Sequence, residues 1–162
     1  MAGSDGSRFT AAGGIGPGLS RGFDISTQNA AVTGRLNWNR ILGLDLAAGF
    51  YYGGANNKDK GLDGVRVGLI EADARFSRFG LSLRAEYARL FISGAERITE
   101  LLRASAPTAA AIGAQGQGFY AEAAYNVLYP VQSTEQLLTP FVRYELVDTR
   151  AVLPDVADPG QT

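Results

Sequence analysis

Hydrophobic and polar residues alternate along most of the chain between residues 30 and 149. In residues 30–39 small or apolar side chains occupy every second position, and polar side chains fill the positions between them from Thr33 onward. The same alternation recurs in five further segments, residues 44–53, 65–76, 81–92, 118–128 and 138–149. A period of two is typical of a β-strand whose two faces meet different surroundings. The pattern therefore predicts about six strands. Within the third segment, Arg66 and Gly68 are out of phase with the positions that follow, which predicts a β-bulge near Gly68.

The connections between the predicted strands alternate in length. Short links lie near residues 40–43 and 77–80, long links at residues 54–64 and 93–117, and an intermediate link at residues 129–137. This alternation places the short turns at one end of an antiparallel meander and the long loops at the other. Transmembrane barrels have short periplasmic turns and longer extracellular loops. The predicted fold class is therefore all-β: an antiparallel up-and-down meander that forms part or all of a transmembrane β-barrel.

One long connection carries a helix pattern over residues 93–105. Ser93 and Glu96 fit a capping box, and Ile98 and Leu102 recur at helical spacing. Two roles are open for this short helix. It either rests its apolar side on the rim of the barrel, or its loop folds inward and narrows a pore.

The chain divides into three regions. Residues 1–29 form a Gly-rich N-terminal segment, in which residues 7–15 are a candidate for one weak extra strand. Residues 30–149 hold the β-meander, and residues 151–162 are a C-terminal tail or loop with little pattern.

Composition removes several classes of function. The 162 residues include no histidine and no cysteine, so Ser/His/Asp catalysis, thiolate chemistry and disulfides are excluded. We therefore predict that the chain is not an enzyme and that it uses no cofactor and no metal. A net charge of −1 gives no electrostatic basis for binding nucleic acid. The first residues lack the basic and apolar regions of a signal peptide, and no run of 18 apolar residues predicts a transmembrane helix.

The charged residues of the predicted strands share one side with the small polar residues. We predict that ten of them line a pore: Arg35, Asp45, Glu71, Asp73, Arg75, Arg84, Glu86, Glu122, Arg143 and Glu145. If the third hairpin turns at residues 78–79, Asp73 lies opposite Arg84, and a comparable register places Glu122 opposite Arg143. The alternative is that these residues cover an ordinary solvated sheet face.

The opposite side of the strands is aromatic and aliphatic. We predict that eight aromatic residues there face lipid: Trp38, Phe50, Tyr52, Phe76, Tyr87, Phe119, Tyr125 and Tyr144. Most lie near strand ends, where outer-membrane barrels carry their aromatic girdles. The alternative is the packed core of a soluble barrel.

Three segments carry a resemblance to a known family. Residues 43–53 (GLDLAAGFYYG), 117–125 (QGFYAEAAY) and 139–145 (TPFVRYE) look like strands of Gram-negative outer-membrane porins. They are most similar to the group related to the phosphate-selective porins O and P, and the resemblance covers residues 34–150. It implies a barrel in the bacterial outer membrane, in contact with membrane lipid or lipopolysaccharide, that passes small hydrophilic solutes and is often a homotrimer.

The chain departs from that family in three ways. It holds about six strands, whereas bacterial barrels have eight or more. It has no signal peptide and ends in DVADPGQT rather than in a strand with a terminal aromatic residue, so it is similar to an internal portion, or a shortened form, of a larger porin. The predicted pore lining holds four positive and six negative residues, so phosphate selectivity is not carried over.

Two other functions are open to the same pattern. A soluble lipocalin-like barrel would turn Trp38, Phe50 and Tyr87 inward to bind a small apolar ligand. A surface β-protein would act only as a scaffold or adhesin. We therefore expect an outer-membrane porin segment that allows passive diffusion, with these two as alternatives.

Overall fold

The chain forms one six-stranded antiparallel sheet in which every strand pairs with its neighbours in the sequence. The computed structural model describes residues 4–19, 29–56, 61–131 and 136–154. The strands are β1 (Ala31–Ile41), β2 (Leu44–Gly54), β3 (Arg66–Arg78), β4 (Leu81–Ser93), β5 (Gln115–Tyr125) and β6 (Phe141–Val152). One helix, α1 (Ala95–Ser105), lies between β4 and β5. This is the predicted all-β meander with a short helix in a long connection.

Two-residue turns join β1 to β2 and β3 to β4. The second turn consists of Phe79 and Gly80, whose φ angles are +56° and +76°. Positive φ at both central residues is the requirement of a type I′ hairpin, which matches the twist of the flanking strands. We call the end of the sheet that carries these turns the turn end, and the opposite end, with residues 55–65 and 94–114, the loop end.

The second turn sets a register that differs from the predicted one. Because the turn lies one residue later than residues 78–79, Arg78 pairs with Leu81. Asp73 consequently lies opposite Glu86, and the predicted pairing of Asp73 with Arg84 is wrong.

The third connection at the turn end is long. Residues 126–140 join β5 to β6, and they outnumber residues 55–65 at the loop end. Its two ends stay together, since the Val127 N–H donates to the Leu138 carbonyl oxygen at 2.9 Å. The predicted alternation of short and long connections therefore holds for the first four links but not for the fifth.

Strand β3 runs without a bulge. Its pairing with β2 and with β4 is unbroken through Gly68, so the predicted bulge there is wrong. Val67 lies on the same face as Glu71 but is fully buried. The face itself changes from charged to apolar along the strand, and that change produced the apparent shift of phase. The register shifts fall elsewhere, between Trp38 and Ile41 and between Gln115 and Gln117.

Helix α1 begins directly after β4. Ser93 is the last residue of β4 and pairs with Arg66, and Gly94 occupies the N-cap position with a φ of +83° and no side-chain cap. The predicted capping box on Ser93 is therefore wrong, because the left-handed glycine makes the reversal from strand to helix. The predicted apolar side of the helix is confirmed, since Ile98 is buried and Leu102 packs against the same cluster.

The buried apolar residues form one cluster at the loop end. Its members come from the N-terminal segment, the two loop-end connections, β3, β4 and α1: Phe9, Ala55, Leu62, Val65, Val67, Ile92, Ala95, Ile98 and Ile112. Such a cluster fixes the connections to one end of the sheet through removal of apolar surface from water.

Residues 4–19 form two 3-10 turns, Gly6–Arg8 and Gly16–Gly18, where we predicted a weak strand over residues 7–15. That prediction is wrong for the described segment. The segment is held by hydrogen bonds to residues near two different strands. The Gly6 N–H donates to the Ala55 carbonyl at 3.0 Å, and the Thr149 hydroxyl donates to the Ala11 carbonyl at 2.8 Å. The segment therefore reaches from the β2–β3 connection to β6.

Strand β6 continues beyond its predicted end. It runs through Val152, so the first two residues of the predicted tail, 151–162, belong to the sheet. Residues 155–162 lie outside the described residues, as do residues 20–28.

Candidate functional site

One face of the sheet carries all ten predicted pore-lining residues, and we call it the charged face. The strand registers place on it Arg35, Asp45, Glu71, Asp73, Arg75, Arg84, Glu86, Glu122, Arg143 and Glu145. The prediction that they share one side is therefore confirmed, while their role in a pore stays a prediction.

A row of mixed charge crosses this face near the turn end. Direct cross-strand pairing connects Asp45, Arg75, Arg84, Glu122 and Arg143 in that order. Arg75 and Arg84 lie opposite one another, and like charges in that position are destabilising. The row therefore balances attraction at its ends against repulsion at its centre.

The next row toward the loop end is acidic. It connects Asp73, Glu86, Tyr120 and Glu145 across four strands. Glu86, Tyr120 and Glu145 also line a shallow cleft of about 280 Å³ on this face. Apolar groups such as Ala88 and Val147 also line the cleft. Its charged groups are the two carboxylates, which suit a hydrated cation better than an anion.

Arg35 makes an ion pair that crosses a whole strand. From β1 it passes over Gly49 of β2 to reach β3, where it binds Glu71 at 2.8 Å and Asp73 at 2.5 Å. A Cβ atom on Gly49 would lie 2.6 Å from the Glu71 Oε1 atom. The glycine therefore makes room for the bridge, a feature that direct cross-strand pairing did not predict. A glycine in a strand interior is the sequence signal for such a close approach.

Arg143 confirms the predicted pairing with Glu122. Its Nη2 and Nε atoms donate to one Glu122 carboxylate oxygen at 2.6 and 2.9 Å, and its Nη1 atom donates to Glu145 at 3.1 Å. Its guanidinium carbon also lies 5.6 Å from the centroid of the Tyr120 ring. Like Arg35, it is neutralised by two carboxylates.

Arg84 and Glu86 stand on the same strand and face between these two networks. Within the described part of the chain, neither takes part in an ion pair or a side-chain hydrogen bond. They therefore present their charges to whatever fills the space above the sheet.

The loop-end half of the same face is covered. Val67 and Ile92 lie on it and belong to the cluster that contains α1. Thr99 of α1 is buried, and its hydroxyl donates to the Ala95 carbonyl at 2.9 Å while accepting from the Ile112 N–H at 3.0 Å. The helix therefore lies at the rim and on the side of the charged face, and its loop is fixed there by internal hydrogen bonds.

A buried asparagine fixes the N-terminal segment at the same end. The Asn29 side-chain amide donates to the Ser4 and Asn56 carbonyl oxygens at 3.0 and 2.9 Å, and its oxygen accepts from the Asn56 N–H at 3.0 Å. Both bonds from the amide nitrogen go to backbone carbonyl oxygens. Asn29 therefore joins the N-terminal segment to the residues that follow β2.

The opposite face, the aromatic face, carries all eight predicted lipid-facing residues. They are Trp38, Phe50, Tyr52, Phe76, Tyr87, Phe119, Tyr125 and Tyr144. Large apolar side chains stay exposed there, including Leu36 at 76% and Tyr144 at 60%. Among the described elements, the helix and the N-terminal turns pack on the other face, so this one is uncovered.

Charged residues also lie on the aromatic face, toward the strand ends, and the alternation of residues did not predict them there. Arg78 lies at the turn end, and Arg66, Arg89 and Asp148 lie toward the loop end in a patch with Ser93, Gln115 and Gln117. Each of the three arginines occupies a position, 66, 78 or 89, at which the alternation calls for an apolar residue. That break in the pattern is the sequence signal that could have placed them on the aromatic face.

Within residues 4–19, 29–56, 61–131 and 136–154, no cluster of acidic residues could hold a metal ion. None of the helices in those ranges is long and apolar enough to cross a membrane.

Comparison with known proteins gives one distant relative. Over 136 residues the chain is 32% identical to an uncharacterized protein of Aquifex aeolicus (strain VF5). The match covers 82% of this chain but 31% of that protein, so the chain spans about a third of the relative's length. No protein-family model and no solved structure match the chain.

Proposed function

We propose that this chain is a segment of an outer-membrane β-barrel porin through which small hydrophilic solutes or ions diffuse passively. In this proposal the charged face lines the aqueous channel and the aromatic face contacts lipid. The observation that carries it is the exposed, uncharged middle of the aromatic face, because a sheet surface of this kind needs an apolar medium or a protein partner.

The height of that uncharged band fits a membrane. Along β3 the outward positions between Arg66 and Arg78 are Gly68, Ile70, Ala72, Ala74 and Phe76. Twelve residue steps extend roughly 40 Å along a strand, which is roughly 30 Å along the normal of a barrel whose strands tilt by about 40°. The apolar band of a transmembrane barrel is about 25 Å tall, so the two charges would lie at its two edges.

The channel is narrowed at the loop end in this proposal. Helix α1 and residues 4–19 pack with Val67 and Ile92, which lie on the charged face next to the loop-end rim, while the rows that contain Arg84 and Glu86 stay open. Solutes would therefore pass between the fixed connections and the charged rows. In this proposal the helix rests its apolar side on the rim of the barrel, and the connections narrow the mouth of the channel there.

A closed barrel needs further strands. Among the described strands, β1 and β6 each pair along one edge only, and bacterial barrels have eight or more strands. We propose that the rest of a longer protein supplies them, in keeping with the greater length of the Aquifex relative. Membrane lipid or lipopolysaccharide and a possible homotrimer are the partners in this proposal.

The lipocalin-like alternative is less well supported. It requires Trp38, Phe50 and Tyr87 to line an enclosed cavity. The elements that cover the sheet lie on the other face, and Phe50 is 48% exposed.

Two measurements on the intact protein test the porin. Cell fractionation should recover it from the outer membrane with detergent, and planar bilayers should show stepwise ion conductance when it is added. Recovery of the intact protein in the soluble fraction without detergent contradicts the proposal, as does insertion without conductance.

A further inference from the structure

Arg66 and Arg89 on the aromatic face differ from Arg35 and Arg143 on the charged face, because within the described residues neither has a carboxylate partner. Arg35 and Arg143 each bind two carboxylates. Over the described residues, no ion pair involves Arg66 or Arg89. A guanidinium group without an internal anion keeps its forked donors for an external one, and the fork matches the geometry of a phosphate group.

Neutral neighbours hold both guanidinium groups in place. Arg66 donates to the Tyr52 hydroxyl at 2.9 Å and lies 5.9 Å from the centroid of its ring. Arg89 donates to the Gln115 side-chain oxygen at 2.6 Å and lies 5.5 Å from the Phe91 ring centroid. Each contact uses one donor of a group that has five, so most of the donors stay available.

The patch around the two arginines is polar and carries a net positive charge. Asp148 is the carboxylate that the registers place on this face near them, one strand beyond Gln117 in the row of Arg89. Its Oδ1 atom accepts from the Arg150 N–H at 2.9 Å. Ser93 and Gln117 add uncharged groups. The patch thus offers two cations against one carboxylate that is already hydrogen-bonded.

We propose that Arg66 and Arg89 bind the phosphate groups of a diphosphorylated glycolipid in the membrane leaflet at the loop end. Arg66 pairs with Ser93, four residues from Arg89 on the same strand, so the two backbone positions are roughly 14 Å apart. That separation suits two phosphates on one headgroup better than a single phosphate. The proposal rests on the porin function, since it requires the aromatic face to contact lipid.

Retention of defined lipids by the intact, detergent-folded protein tests this site. Native mass spectrometry would compare diphosphoryl lipid A with monophosphoryl lipid A at equal concentrations. The unmodified protein should retain the diphosphoryl form roughly tenfold better, since each charge-assisted contact contributes about a factor of ten or more. Arg66→Gln and Arg89→Gln should each remove that preference.

Arg78→Gln is the matched control, because Arg78 lies on the same face at the turn end and rests on the Phe79 ring, 4.3 Å from its centroid. It should leave the lipid preference unchanged. Equal retention of both lipids by the unmodified protein overturns the site, and so does loss of the preference in Arg78→Gln. Bilayer conductance of the same preparations separates the two proposals: a conducting protein without lipid preference refutes the lipid site alone, whereas a preference without conductance refutes the pore.

Discussion

The two halves of the charged face lie on the same strands but differ in their surroundings. The loop-end half is covered by the connections, and the half toward the turn end is open. At the loop end Val67 and Ile92 are buried under the connections. Toward the turn end Arg84 and Glu86 of the same sheet make no ion pair within the described part of the chain. A single strand such as β4 therefore belongs to a hydrophobic core at one end and to an open polar surface at the other.

The difference separates stability from candidate function. Removal of apolar surface from water stabilises the covered half, whereas the open half contains exposed ion pairs, each of which contributes little stability. Substitutions in the covered half should therefore loosen the connections, and substitutions in the open half should change which solutes pass.

The largest effect is expected for Phe9→Ala in the covered half. Phe9 is fully buried, and truncation of a buried phenylalanine costs about 3–5 kcal/mol. Residues 4–19 and α1 should become faster in amide hydrogen exchange and in proteolysis, and the single-channel conductance should rise. The protection of the strand amides against hydrogen exchange should not change.

Leu36→Ala is the control for that substitution, because Leu36 is 76% exposed on the aromatic face. It should leave the hydrogen exchange of the connections as it was. Loss of protection throughout the strands in Phe9→Ala would show that the two halves form one cooperative unit, contrary to the separation proposed above.

A smaller effect is expected for Thr99→Val. The substitution keeps the shape of the side chain but leaves the buried Ile112 N–H without its acceptor, at a cost of about 1–3 kcal/mol. Exchange of the Ile112 amide should accelerate while the strands stay protected. Thr33→Val is the matched control, since the Thr33 hydroxyl also donates to a backbone carbonyl, that of Phe50, but is exposed to solvent. Equal acceleration of Ile112 amide exchange in Thr99→Val and Thr33→Val would contradict the role given to the buried Thr99 hydroxyl.

The alternation of residues was enough to predict the sheet and the grouping of its faces. It failed where another element changed the surroundings of a strand. Val67 is apolar on the charged face because the loop-end connections cover it, and that contact over a long sequence distance leaves no periodic signal. Turn position was equally hard to predict, because a shift of one residue to Phe79 and Gly80 moved every partner of β3 by two.

The open half can be altered through Gly49 without removing any charge. Gly49→Ala places a Cβ atom 2.6 Å from the Glu71 Oε1 atom, so Glu71 must move and its bond with Arg35 should be lost. We expect altered ion selectivity, measured as the reversal potential in a salt gradient, with no change in the exchange of the connections. Gly68→Ala is the control, because its Cβ atom would meet its neighbours at an ordinary 3.8 Å. An unchanged reversal potential in Gly49→Ala would show that the bridge does not influence permeation.

The smallest effect is expected for single charges that have no partner in the described structure. Arg84→Gln and Glu86→Gln lie two positions apart on the same face of β4, so any change due to folding should be similar in both. A unit charge acts on a passing ion across about 8 Å of water with an energy that changes permeability by roughly twofold. Arg84→Gln should therefore raise the permeability ratio of cations to anions, and Glu86→Gln should lower it by a similar factor.

Both shifts in permeability ratio should fade as salt is increased from about 0.01 M to about 1 M, because the Debye screening length falls from roughly 30 Å to roughly 3 Å. Shifts of the same sign in the two variants would mean that they act by distorting the sheet, and the open half would then lose its assignment as the lining of a channel.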